Sequence, residues 1–128
     1  KALKFMHKFS TVIVHQDIQA ENILITNREG KKDLVKLSGF SSMHTLHDSE
    51  EHEVYRDIEG FALYLYQLLT LTTKVKNNWK SQVQKLQLTE DQKPFIGVLH
   101  ACLDPIERPS SSQLVERLEA IEAKITKN

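Results

Sequence analysis

One cysteine, Cys102, is present in 128 residues, so no disulfide can form within the chain. That usage points to a reducing compartment and a cytoplasmic protein. Net charge is also missing: Lys+Arg and Asp+Glu both number 17. A balanced surface gives no long-range pull toward nucleic acid or an anionic membrane, and neither is predicted as a partner. No apolar run reaches the length that spans a bilayer, and no signal-peptide pattern is visible. Repeats and low-complexity segments are absent. The charged fraction of 27% and the hydrophobic fraction of 40% are those of a globular chain with a single core. A domain of this length buries about two-thirds of its unfolded surface.

Against that background one stretch carries chemistry. Val12-Ile13-Val14 and Ile23-Leu24-Ile25 are short β-rich runs, expected to be buried strand pieces, on either side of a polar loop. The loop holds His15, Asp17 and Asn22. A loop pinned at both ends can aim Asp17 and Asn22 at one point. An Asp there can accept a proton from an attacking hydroxyl, and an Asn can hold a metal ion that carries phosphates.

The remaining chain reads mainly as helix with one small hairpin. Ala2, Phe5, Met6 and Phe9 fall on one helical face, and no capping residue precedes them, as at a start inside a helix. Ile23–Thr26 and Leu34–Leu37 are expected to pair across a turn at Asn27-Arg28-Glu29-Gly30, where Gly30 can take a positive φ. Residues 41–56 are polar and irregular, with the next helix expected from about Tyr55. From Asp57, the residues Ile58, Phe61, Ala62, Leu65, Leu68 and Leu69 form a wide apolar stripe, with Leu63, Tyr64 and Tyr66 around it. Residues 72–85 carry Lys74, Lys76, Lys80 and Lys85 without an acid, around Trp79 and Val83, and read as a short surface helix with a solvated basic face. Thr89 to Gln92 has capping-box spacing for a further helix, while Pro94 suits a first helical turn. Phe95, Ile96, Leu99 and Cys102 share a face of that helix, so the thiol is expected in the core. Ser110 and Gln113 repeat the capping-box spacing before an apolar seam of Leu114, Leu118, Ile121 and Ile125. His44, His47 and His52, interleaved with Asp48, Glu50, Glu51 and Glu53, have metal-ligand chemistry. A solvated polar loop is the plainer reading of that composition.

His15-Gln16-Asp17-Ile18-Gln19-Ala20-Glu21-Asn22 resembles the protein-kinase catalytic loop, H-R-D-L-x-x-x-N. Later stretches follow in family order: Leu37-Ser38-Gly39-Phe40-Ser41 where kinases carry D-F-G, Asp57 at the start of the central helix, and Asp104-Pro105-Ile106-Glu107-Arg108-Pro109-Ser110 before the last helix. The resemblance implies the C-lobe portion of a protein-kinase-like domain over residues 1–128, with the N-lobe and the start of the C-lobe upstream. It places Asp17 at the catalytic base and Asn22 at a magnesium ligand. Gln19 falls where serine/threonine kinases usually have a phosphate-contacting lysine. Gly39 falls at the metal-binding Asp. His15, Asp57 and Arg108 take structural positions: in the family the equivalent of Asp57 braces the loop backbone, and the equivalent of Arg108 pairs with the Glu of A-P-E, a tripeptide this chain lacks. Glycine offers no side-chain oxygen, so one metal ligand is lost and with it a major part of the electrostatics of phosphoryl transfer.

The implied function is therefore that of a pseudokinase, a regulatory, scaffolding or nucleotide-sensing module. ATP is its implied cofactor, magnesium is doubtful, and its implied partners are other proteins or a second copy. An active ATP-dependent serine/threonine kinase and a pure protein-interaction domain are the alternatives. A narrower likeness, in His15-Gln16-Asp17-Ile18-Gln19 and a short segment ending at Arg56-Asp57, is to the pseudokinase domains of the 2-5A-dependent ribonuclease family. Those domains bind nucleotide and promote dimerisation; no nuclease activity is carried over.

Overall fold

Helices built on apolar stripes make the core, and two small antiparallel ribbons frame the polar loop. The computed structural model describes residues 1–8, 13–45 and 51–126, without the side chains of residues 51, 52 and 126. In chain order the elements are α1 (Ala2–His7), β1 (Ile13–Val14), β2 (Ile23–Thr26), β3 (Leu34–Leu37), β4 (His44–Thr45), α2 (Glu51–Thr70), α3 (Trp79–Gln82), α4 (Pro94–Leu103) and α5 (Ser111–Thr126). The chain is thus mainly helical with a small antiparallel hairpin, the coarse class expected from its sequence.

The core gathers Ile58, Ala62 and Leu65 of α2, Val98, Leu99 and Cys102 of α4, and Leu114 and Ile121 of α5, with Val83 joining from the segment after α3. Each large aliphatic side chain buried there contributes about 1.5–3 kcal/mol. Trp79 closes one edge against Tyr66, with ring centroids 5.3 Å apart. Cys102 is fully buried, and burial pushes its thiol up to about 11, so it is an inert core residue.

Local chemistry accounts for the helix ends. Ser110 and Gln113 form the reciprocal capping box ahead of α5: Ser110 N–H donates to Gln113 Oε1 at 2.9 Å, and Gln113 N–H donates to Ser110 Oγ at 3.2 Å. At Thr89 only half of the motif forms, the Thr89 N–H donating to Gln92 Oε1 at 3.1 Å. That stretch is a turn, and α4 begins at Pro94, which has no N–H to leave unpaired in a first turn.

Several expectations need correction. The central helix begins at Glu51, four residues before Tyr55. Glu53 then lies in its first turn, where a negative charge suits the helix dipole. In α1 Met6 is buried while Phe5 is 67% exposed, and Phe9 lies outside the described residues. Leu68 and Ile125, expected on buried seams, are exposed.

The β2–β3 hairpin has the expected register, Ile23 opposite Leu37 and Thr26 opposite Leu34, with Gly30 at φ 70° in the connecting loop. Its strands are not buried: Leu24, Ile25 and Val35 are half or more exposed. A two-stranded ribbon packs at most one face, and among the described residues no layer covers the other. The second ribbon pairs β1 with β4, Ile13 opposite Thr45 and Val14 opposite His44, and brings the segment after the loop back beside its start.

Candidate functional site

The loop between β1 and β2 is held from below by α2. Asp57, completely buried, receives the His15 N–H on Oδ2 at 2.9 Å and the Gln16 N–H on Oδ1 at 2.7 Å. The Gln16 side-chain amide adds a longer bond to Oδ1, 3.3 Å. His7 of α1 reaches the same carboxylate, its Nε2–H donating to Asp57 Oδ2 at 2.9 Å. The other ring nitrogen of His7 lies 3.1 Å from the hydroxyl of Ser111 at the start of α5. One carboxylate therefore ties the loop to three helices. A buried charge of this kind is tolerable because charge-assisted hydrogen bonds replace its water.

His15 is locked by both of its ring nitrogens. Nε2–H donates to the Ser38 carbonyl at 2.7 Å, and Nδ1 accepts the Asp17 N–H at 3.1 Å. These bonds select the Nε2–H tautomer. The ring also meets Phe40 edge-on, with centroids 5.1 Å apart. Gln16, between His15 and Asp17, adopts φ 71°, a left-handed conformation uncommon for a residue with a side chain. Its amide nitrogen donates to the Glu53 carbonyl at 2.5 Å, and its Oε1 is buried without a hydrogen-bond partner among the described residues. Local strain of this sort persists where surrounding bonds over-determine the backbone, as Asp57 does here.

Asp17 itself is only partly buried and borders an open cleft of about 410 Å³ that Arg56, Glu59 and Lys80 also line. Both of its carboxylate oxygens are taken by side-chain amides: Gln19 Nε2 donates to Oδ1 at 2.8 Å, and Asn22 Nδ2 donates to Oδ2 at 2.9 Å. Asn22 Nδ2 also donates to the Asp17 backbone carbonyl at 2.8 Å. Asn22 is thus turned inward, and it fills the space beside Gly39. Gly39 has φ 73°, and a Cβ built on it would meet the Asn22 side chain at 2.3 Å. Glycine is required there by backbone conformation and by room.

The same logic applies to Gly60 within α2. A Cβ there would lie 2.7 Å from Ile18 Cβ and 2.8 Å from the Ile18 carbonyl oxygen. The missing side chain lets the loop rest directly on the helix.

Of the residues singled out in the sequence, His15, Asp17, Gln19, Asn22, Gly39 and Asp57 are brought together by direct contacts around this loop. Arg108 stands apart. Its Nη2–H donates to Glu59 Oε1 at 2.9 Å, its Nε–H donates to the Cys102 carbonyl at 3.0 Å, and its guanidinium lies 5.1 Å from the Tyr55 ring centroid. Glu59, two residues after Asp57, is the carboxylate partner that the missing A-P-E tripeptide left unassigned. His7, Ser111 and Glu59 carry no local sequence signal for these roles, since each partner is about 50 or more residues away.

Of the histidine-rich acidic run, residues 47, 48 and 50 and the side chains of residues 51 and 52 lie outside the described residues. His44 is paired with Glu53, Nε2 to Oε2 at 2.7 Å, which ties β4 to the first turn of α2. No protein-family model matches the chain, and a search of curated proteins likewise finds no match.

Proposed function

We propose that this chain is the C-lobe portion of a protein-kinase-like domain that acts without catalysis, as a regulatory, scaffolding or nucleotide-sensing module. The observation that carries the reading is the contrast within one loop. Asp57 holds the His15 and Gln16 amides at 2.9 and 2.7 Å, the bracing role its position has in the resembling family. The metal end has a different character. Gly39 supplies no oxygen, and Asn22 is packed against it with its amide nitrogen on Asp17. Magnesium takes six oxygen ligands in near-ideal octahedral geometry. One carboxylate whose oxygens already accept two amides, beside one inward-turned Asn, does not fit that requirement.

ATP remains the cofactor to test, because nucleotide can be held without a metal by pockets and backbone donors outside this donor set. The partners of such a module are other proteins or a second copy of the chain. The competing reading, an active serine/threonine kinase with Asp17 as base, draws support from the position of Asp17 at the rim of an open cleft. It requires Asn22 to turn outward and a second metal ligand to come from elsewhere.

Thermal unfolding of the natural full-length protein with ATP, in the presence and absence of magnesium, separates these readings. A shift with ATP that ignores magnesium is the expected result for a nucleotide-sensing module. No shift makes protein docking the function. A shift that requires magnesium, with phosphate transfer abolished by Asp17→Asn, would overturn the non-catalytic reading.

A further inference from the structure

We draw no further inference here: the strongest candidate, the buried Ser111–His7–Asp57 side-chain cluster that joins the start of α5 to α1 and α2, belongs to the brace of the loop already described, and nothing in the structure shows a substrate reaching the Ser111 hydroxyl.

Discussion

Asp57 and Asp17 present the same carboxylate to the two sides of one loop, in opposite settings. Asp57 is fully buried and collects two backbone N–H groups and an imidazole from across the fold. Asp17 is partly exposed and, among the described residues, its carboxylate collects the side-chain amides of Gln19 and Asn22, both within five residues of it. The first carboxylate is integral to the architecture; the second is an addition to it. The loop backbone hangs on the Asp57 side, whereas the Asp17 side rests on bonds between near neighbours in the chain. Breaking Asp57 should therefore have the largest effect of any single change in the site. Asp57→Ala leaves buried N–H donors at His15 and Gln16 and strands His7, which should cost about 3–5 kcal/mol in urea unfolding. Asp57→Asn, which keeps one acceptor, should recover part of that. A loss under about 1 kcal/mol for Asp57→Ala would show that the loop stands without its brace.

The next effect sharpens the boundary between the two sides. Gly39→Ala must place a Cβ at φ 73° and against Asn22, and is expected to cost about 1–3 kcal/mol. In the Asn22→Ala background the steric part disappears and the left-handed part, about 1 kcal/mol, remains. A double-mutant cycle should thus give a coupling of about 1 kcal/mol between two residues 17 positions apart. Additive effects would mean that Asn22 swings away freely, and that its inward geometry is not fixed by the backbone at residue 39.

How much of this was legible in the sequence follows from the range of each interaction. The β2–β3 register and the turn at Gly30 rest on neighbours in the chain and were readable, as was the capping box at Ser110 and Gln113. The likeness to a known loop singled out Asp17, Asn22 and Gly39, which the structure brings into contact. That Asn22 turns inward was not, because it depends on the backbone of residue 39 arriving from another strand. The burial of the strands was misjudged for a similar reason. An apolar run announces that it can be covered and does not say what covers it, and Leu24, Ile25 and Val35 lack a covering layer among the described residues. The early start of α2 at Glu51 lay in a polar stretch without periodic apolar residues, where the hydrophobic pattern is silent.

A smaller effect is expected where α2 meets the turn before α5. Arg108 is mostly buried and serves three partners at once: Glu59, the Cys102 carbonyl and the Tyr55 ring. Glu59 is itself more than a third exposed, so the Glu59–Arg108 coupling energy should be only about 1 kcal/mol in a double-mutant cycle. Arg108→Lys should lose nearly as much stability as Arg108→Ala, because an ammonium cannot span the carbonyl and the carboxylate together. A lysine variant as stable as the parent would mean that charge, rather than the planar fork, holds this corner.

The smallest change is the most telling for the comparison. Asp17→Asn keeps one oxygen that can accept from Gln19 or Asn22 and removes a charge at the edge of an open cleft. Substitutions at such positions usually stay within about 0.5 kcal/mol. The unfolding midpoint of this variant should therefore match the parent, in contrast to Asp57→Asn only 40 positions away and the same in chemistry. A loss above about 1.5 kcal/mol would make Asp17 a second brace, with its two amide bonds part of the framework. The distinction between a bracing carboxylate and a peripheral one would then have to be abandoned. If stability is unchanged, any functional defect of Asp17→Asn in the full-length protein belongs to what the cleft binds, because the fold around it is intact.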